Sequence, residues 1–465
     1  MTASGSISEN DLSSALERAL RDGPRSGSEL LASLGISQPT LSRTIHGSSL
    51  PITNFRIRGV RTPKYALLRQ LPQGLESRQQ VSRLLASGSV VPFAELEFLS
   101  GGATLERSAD DNGRVTLYEG LPPYINFASP SGFLGKQLAQ ELARTQGFPQ
   151  SLNDWSDEHR IAYLFTRGLN LPGNLVFGNA SLQMELELRK ARPTPSTEKP
   201  LVYLEMATAL KGSAYGSSAG GEQPKFLWLT EDSGHVIVKF ARLGSRMAEL
   251  LPLEHLALRS LGEVGVPAAR TQLLTAGDYV FLEVQRFDRV GLNGRVGMLS
   301  AGSVDDEFFG KRDSWSEFAT RCVAAKYLSA EDARHVHTMA AFSELIGNGD
   351  RHFENLSLLI DERGEYQGIA PAYDILPMRY ASIGGGVDPD LRPIDPKVGP
   401  IGARPEVWEL AARAAQRFWT AAQTETLAAP LSDDMKALAA ENLTAVWEFV
   451  APLVPAHSAA ATGTR

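Results

Sequence analysis

Apolar residues recur at helical spacing near the start of the chain. Leu12, Ala15, Leu16, Ala19 and Leu20 share one face over residues 11–21, which predicts an amphipathic helix. Asp22-Gly23-Pro24 stops it. Ser26-Gly27-Ser28-Glu29 has capping-box spacing ahead of Leu30, Leu31 and Leu34, so a second helix opens there and ends at Gly35. Ser37 is placed to cap a third helix, Gln38-Pro39-Thr40-Leu41-Ser42-Arg43-Thr44-Ile45, with Pro39 tolerated in its first turn. Helix, short glycine turn, helix is the order of a helix-turn-helix. The stretch from Phe55 to Leu68 then reads as a basic hairpin, like the wing of a winged-helix domain.

Residues 72–200 are harder to read. Strand-like runs alternate with Gly101-Gly102 and a Pro/Gly-rich stretch at Leu121-Pro122-Pro123-Tyr124. Gly168 to Phe177 reads as a turn leading into a strand. Residues 191–200 have linker composition. No chemistry is visible in this part. Beyond it the pattern clears. Asp232-Ser233-Gly234 is a turn before the apolar strand Val236-Ile237-Val238-Lys239-Phe240, and helix-like residues 249–260 follow. Phe281-Leu282-Glu283-Val284-Gln285 is an apolar strand that turns polar at Arg286-Phe287-Asp288-Arg289. Leu356 to Ile360 reads as a strand, Asp361-Glu362-Arg363-Gly364 as a turn, and a second strand leads to Ala372-Tyr373-Asp374.

Composition narrows the class. A chain of 465 residues predicts two to four domains at roughly 100–200 residues each. With 43% hydrophobic and 21% charged residues the composition is that of an ordinary globular protein. No run of about 18 apolar residues exists, so no membrane partner is expected. Met1-Thr2-Ala3-Ser4-Gly5 lacks a basic and then apolar leader. The lone Cys322 allows no internal disulfide and no multi-cysteine metal site, and reads as a buried helix residue. These features predict a cytoplasmic protein.

The net charge of −7 hides an asymmetry. Between residues 36 and 70 stand Arg43, Arg56, Arg58, Arg61, Lys64 and Arg69 with no Asp or Glu, a local +6, which leaves −7 − 6 = −13 for the remainder. A basic module on an acidic body predicts DNA binding. The third helix would enter the major groove through Gln38, Thr40, Ser42 and Arg43, while Arg56, Arg58, Arg61 and Lys64 of the wing hold phosphate. The competing reading is a three-helix protein-interaction module with a solvated basic face.

Four stretches carry candidate chemistry. Gly212 to Phe226 includes Ser217-Ser218-Ala219-Gly220-Gly221-Glu222-Gln223-Pro224-Lys225. Small residues there let backbone N–H groups approach phosphate, though a Walker loop has a different spacing. Lys239 ends an apolar strand downstream of that loop, the placement of a kinase's phosphate-gripping lysine, with Glu254 as its candidate ion-pair partner. The strand end at Gln285, Arg286 and Phe287 suits a hinge whose backbone meets adenine. Most telling, Asp350 and Asn355 in Gly349-Asp350-Arg351-His352-Phe353-Glu354-Asn355 have the D-x-x-x-x-N spacing of a kinase catalytic loop. The aspartate there accepts the proton of the attacking hydroxyl and the asparagine ligates Mg²⁺. Asp374 sits where a metal-chelating aspartate belongs. One carboxylate and one amide oxygen, completed by water and phosphate, suit Mg²⁺.

Taken with Gln285-Arg286-Phe287-Asp288-Arg289, Ile346 to Asn355 and Ala372-Tyr373-Asp374, the Ser217 to Lys225 stretch resembles the HipA family over about residues 165–450. These are serine/threonine kinases of bacterial toxin–antitoxin systems. The fused helix-turn-helix resembles the family's single-chain, YjjJ-like branch. The resemblance implies an α+β, protein-kinase-like two-lobed fold preceded by an α-rich winged helix-turn-helix domain. It implies domains at 8–70, 75–195 and 200–455. It also implies ATP and Mg²⁺ as cofactors, Asp350 as catalytic base, and Asn355 and Asp374 on the metal. Gly220, Gly221, Glu222, Gln223, Pro224, Lys225, Lys239, Gln285, Arg286, Phe287, His352, Phe353, Glu354, Asn355, Tyr373 and Asp374 would surround the nucleotide. Ser218, with Ser217 beside it, matches the serine whose autophosphorylation silences such kinases. The implied partners are a protein substrate among the translation factors, notably an aminoacyl-tRNA synthetase, and operator DNA. Helix-turn-helix proteins commonly bind palindromes as dimers, so a homodimer fits.

Two departures stand out. Gln285 replaces a glutamate common at the hinge. Gly297-Met298-Leu299-Ser300-Ala301-Gly302 replaces a histidine- and acid-containing element, so the substrate is expected to differ. The alternative function is a DNA-binding transcriptional regulator whose kinase-like body only senses nucleotide.

Overall fold

The computed structural model describes residues 9–60, 62–109, 113–212, 223–383 and 387–454. The chain divides into two compact units, Met1–Ser129 with Asn153–Lys190, and Pro130–Leu152 with Ala191–Arg465.

The first unit opens with α1 (Glu9–Leu20), β1 (Arg25–Ser26), α2 (Gly27–Leu34), α3 (Gln38–Gly47), β2 (Ile52–Phe55) and β3 (Lys64–Leu67). Leu16, Leu20, Leu30 and Leu41 bury together, as the helical spacing requires. Both halves of the capping box form: the Glu29 N–H donates to Ser26 Oγ at 3.2 Å, and the Ser26 N–H donates to the Glu29 carboxylate at 2.6 Å. Ser37 takes the cap position of α3, but its Oγ pairs with Thr40 Oγ1 at 2.9 Å instead of a backbone donor. Pro39 removes one of the N–H groups a cap serves, and the nearby hydroxyl competes for the rest. The three short strands form a sheet in the order β1-β3-β2.

The chain continues through β4 (Arg78–Leu84), β5 (Val90–Phe98), β6 (Thr104–Ser108), β7 (Val115–Tyr118) and α4 (Pro123–Ala128). Next come α5 (Gly132–Gln146), which belongs to the second unit, then α6 (Asp157–Arg167), β8 (Leu175–Phe177) and α7 (Gly178–Leu188). The five strands pair antiparallel in the order β7-β6-β5-β4-β8. Phe55, Ala66 and Leu68 from the hairpin side share a core with Leu99, Ala103 and Leu105. Arg107 links the same parts, donating to Thr53 Oγ1 and the Asn54 carbonyl at 3.2 Å each while holding Glu97 at 2.9 Å.

The second unit contains α8 (Lys199–Gly212), β9 (Lys225–Thr230), β10 (Gly234–Arg242), α9 (Arg246–Glu263), β11 (Thr271–Ala276) and β12 (Tyr279–Gln285). It continues with β13 (Arg289–Val290), β14 (Gly294–Arg295), β15 (Gly297–Ser300), α10 (Ala301–Phe308), α11 (Trp315–Ala324) and α12 (Ala330–Ile346). It ends with β16 (Ser357–Ile360), β17 (Tyr366–Ile369), α13 (Pro405–Thr424) and α14 (Asp433–Val450). This is an α+β body. A four-stranded antiparallel sheet, β11-β12-β10-β9, packs against α9, and a three-stranded sheet, β15-β16-β17, accompanies a helical bundle. Cys322 is fully buried in α11, and burial pushes its thiol up to about 12.

Residues 191–200, read as linker from composition, are tied to the edge of β9. The Thr194 N–H donates to the Leu229 carbonyl at 2.9 Å, and the Glu231 N–H donates to the Thr194 carbonyl at 3.0 Å. An edge strand's free backbone groups supply partners to a neighbouring extended segment. Among the described residues no helix is long and apolar enough to cross a membrane.

Candidate active site

The site is built on three supports within the second unit. The first is β10, whose alternation turns Val236, Val238 and Phe240 to the cores while Lys239 faces the opposite side. Lys239 is 5% exposed. Its Nζ donates to both Glu254 oxygens at 2.7 Å and to Asp374 Oδ1 at 2.5 Å. Glu254 comes from α9 and is fully buried. The pairing expected for Lys239 therefore forms, and Asp374 joins it. Lys225 lies directly across the β9–β10 ladder from Lys239.

The second support is the turn after α12. Gly347 caps this helix at φ +75°, and the Arg379 N–H donates to its carbonyl at 2.9 Å. The buried Asn348 accepts the Asp350 N–H on Oδ1 at 3.0 Å. Arg351 reaches back to Glu344 of α12 at 2.5 Å. The loop closes on itself where Asn355 Nδ2 donates to the Asp350 carbonyl at 3.1 Å. This leaves Asn355 Oδ1 as the atom able to ligate a cation. The Asp350 side chain is 44% exposed and half open to solvent.

The third support is the strand exit at Ala372. The Ala372 N–H donates to the Pro267 carbonyl at 2.8 Å, and the Ala269 N–H donates to the Ala372 carbonyl at 2.9 Å. Two residues later Asp374 adopts φ +56°. Left-handed backbone in a non-glycine residue is uncommon, and such positions gather at functional sites. The Asp374 side chain stays 32% exposed. Tyr373 Oη donates to the Glu354 carbonyl at 2.6 Å and pairs with Ser357 Oγ at 2.8 Å, joining the second and third supports.

Electrostatics agree with this grouping. Burial opposes ionisation of Asp374, yet the charges of Lys239, Lys225 and His352 hold its carboxyl far below the usual range. Burial would lower Lys239, but Asp374 and Glu254 keep it above an ordinary lysine. Burial pushes Glu254 up, against the pull of Lys239. A hydrogen bond that the His352 ring donates to Glu354 raises His352, and that bond, with Arg312, holds Glu354 down at about 2. Burial raises Tyr373, which stays neutral.

The remaining expected residues fall as follows. At the strand end, the Gln285 N–H donates to the Arg270 carbonyl at 2.8 Å and the Arg286 N–H to the His235 carbonyl at 2.9 Å. The Arg286 guanidinium turns to Asp288. Among the described residues the Phe287 N–H meets no acceptor, and the Phe287 ring lies 5.5 Å from that of Tyr373. Phe353 is buried against Phe318. The Pro224 carbonyl accepts from Phe240, which ties Gln223-Pro224-Lys225 to β10. Ser217, Ser218, Gly220, Gly221 and Glu222 lie outside the described residues, as does Arg61. Of the basic head, Gln38, Ser42, Arg43, Arg56 and Arg58 are exposed, whereas Thr40 and Lys64 are half-buried.

Sequence reading missed four residues that hold the loop: Asn348, Glu344, Arg312 and Trp315. Their partners are distant in the chain or lack a motif of their own. Only Asn348 stood inside a quoted motif.

A strand lysine bridged to a helix carboxylate and to a second aspartate is the arrangement expected of a kinase-type site. A model of the middle domain of YjjJ-like toxins matches residues 75–186, and a model of the HipA-like C-terminal domain matches residues 217–442. Toxin YjjJ of Escherichia coli (strain K12) is 33% identical over 417 residues, 87% of this chain and 92% of that protein. The chain belongs to the HipA-like toxin family, in its YjjJ-like branch. Two solved structures are also similar. HipA of Shewanella oneidensis MR-1, in complex with HipB and operator DNA, has a TM-score of 0.47 and 17% identity, covering 80% of this chain and 96% of that one. The Helicobacter pylori proinflammatory kinase CtkA has a TM-score of 0.35 and 12% identity, covering 48% of this chain and 90% of that one.

Proposed function

We propose that this toxin is an ATP- and Mg²⁺-dependent serine/threonine protein kinase that acts in the cytoplasm, and that its N-terminal head binds DNA. The observation that carries the reading is the ion-paired set of Lys239, Glu254 and Asp374, with the ordered Asp350–Asn355 loop tied to it through Tyr373.

The residues fit the group the reading needs. Asn355 offers Oδ1 because its Nδ2 is already committed, and Asp374 offers a carboxylate held charged. Among the described residues no three His, Cys, Asp or Glu side chains gather as a metal site of their own. A two-residue oxygen set matches a cation that also takes phosphate and water ligands. When bound, Mg²⁺ would neutralise charge on the phosphates. Lys239 then grips phosphate oxygens, with Glu254 fixing its ammonium. Asp350 accepts the proton of the incoming hydroxyl through Oδ1 or Oδ2. The Phe287 N–H, which meets no acceptor among the described residues, would donate to adenine. By the resemblance, autophosphorylation would fall on Ser218 or Ser217, where about −2 charge beside ATP would expel the loop.

The head has the strand and helix order of a winged helix, and its exposed Arg43, Arg56 and Arg58 suit phosphate and base contacts. We assign it operator binding for autoregulation, with a protein from the translation machinery as the kinase substrate. Incubation with γ-labelled ATP and Mg²⁺ in a cell lysate tests the kinase reading. Label on the protein or a lysate protein, absent in Asp350→Asn, is expected. No label in either leaves the nucleotide-sensing regulator as the function.

A further inference from the structure

The element at residues 297–302, where the chain departs from its family's pattern, ends in a glycine with a specific neighbour. A Cβ on Gly302 would meet Glu354 Oε1 at 2.5 Å and Arg312 Nη2 at 2.9 Å. Gly302 therefore makes room for an ion pair. Arg312 Nη1 donates to Glu354 Oε1 at 2.5 Å, while its Nε and Nη2 hold the Asp306 carboxylate at 2.8 and 2.6 Å. Arg312 is itself set in place by its backbone. It sits at φ +44°, and its N–H, with that of Lys311, donates to Oδ2 of the fully buried Asp305 at 2.8 and 2.7 Å. Arg321 holds the other Asp305 oxygen at 3.1 Å. A second strut runs in parallel, with Trp315 Nε1 donating to the His352 carbonyl at 3.1 Å.

Both struts end on the loop that carries Asp350. An exposed ion pair contributes little to stability, and an arginine in the left-handed region is strained. An arrangement of that kind is better explained by placement than by folding. Glu354 lies four residues from Asp350, in the same short loop, and its carbonyl also receives Tyr373 beside Asp374. We propose that Arg312 is a positioning residue for phosphoryl transfer: through Glu354 it holds loop 350–355 so that the Asp350 carboxylate meets the attacking hydroxyl. Gly302 is the companion residue that leaves space for the strut. This rests on the kinase reading above.

The test uses full-length Arg312→Ala, Arg312→Gln and Gly302→Ala. Gly302→Ala leaves both charges in place and only pushes them apart. Phosphate transfer at varied ATP should show kcat reduced roughly tenfold or more, with the KM for ATP nearly unchanged, since misplacement by about 1 Å near reacting groups has effects of that order. Melting temperatures should match wild type. The double variant Arg312→Glu with Glu354→Arg should recover part of the loss. Amide exchange in residues 350–355 should quicken in Arg312→Ala. A kcat equal to wild type, or a raised KM at unchanged kcat, overturns the proposal. So does unchanged exchange in 350–355, and that arm decides even if wild type transfers no phosphate. Absence of transfer by wild type removes the kinase reading, a result separate from failure of the strut.

Discussion

The candidate active site and the basic head treat positive charge in opposite ways. In the site, Lys239 is buried and answered by two carboxylates of the same chain at 2.7 and 2.5 Å. In the head, Arg43, Arg56 and Arg58 stand exposed, and among the described residues no carboxylate pairs with them. Arg69, the last cation of the basic segment, is instead paired with Glu158 at 2.8 Å. A cation held between internal carboxylates is preorganised and can exchange a partner for phosphate at little reorganisation. Cations left in solvent gain binding energy only when a polyanion arrives from outside. On the proposed reading, the contrast separates a site that does chemistry from a surface that docks.

The largest effect should come from the candidate active site. Asp374→Asn is expected to lower kcat by roughly 10²–10³, read as label transferred from ATP, with the Mg²⁺ titration shifted to higher concentration. Glu254→Ala should destabilise the second unit by about 3 kcal/mol, because it removes a buried partner and leaves Lys239 half-compensated. Chemical denaturation measures this, and an unchanged midpoint would mean that Asp374 alone satisfies the lysine. In the head, Arg58→Ala should weaken all DNA alike and reduce the slope of log affinity against log salt by about one. Arg43→Ala should lose about 1–3 kcal/mol on the cognate sequence only. If neither variant changes DNA binding, the head is a protein-interaction module and the comparison fails.

The smallest effect is a pH dependence in the first unit. Glu97 is buried, which alone would raise its carboxyl, but hydrogen bonds from Arg107 and Thr53 bring it below the ordinary value. A lowered folded value means the contribution is present above the unfolded value, about 4.5. It is lost as pH falls through the folded one. We expect about 1–2 kcal/mol to disappear on acidification below pH 4.5, measured by melting, and Arg107→Ala to remove that part of the dependence.

What could be read in the chain before the structure followed from local spacing. Asp350 and Asn355 sit five residues apart, so their loop is visible as a word. Lys239 ends a strand whose alternation is plain, and the Glu254 pairing follows from one helix later. The Ser26–Glu29 box is local too. Arg312 and Glu354 are separated by 42 positions with no pattern between them. The Arg107 contact to Asn54 spans 53. Such pairs are chosen by packing, which periodicity does not encode. Residues 191–200 read as linker and begin where the second unit resumes at Ala191, but composition does not show that the open edge of β9 supplies partners to their backbone.

The central claim is that the Asp350 loop transfers phosphate instead of merely sensing nucleotide. The direct measurement pairs ATP-Mg²⁺ binding by calorimetry with phosphate transfer in the same preparations of wild type and Asp350→Asn. The account predicts similar nucleotide affinity in both, with transfer falling by roughly 10²–10⁴ in the variant. Transfer by Asp350→Asn at the wild-type rate, or its absence from wild type that binds ATP normally, would contradict it.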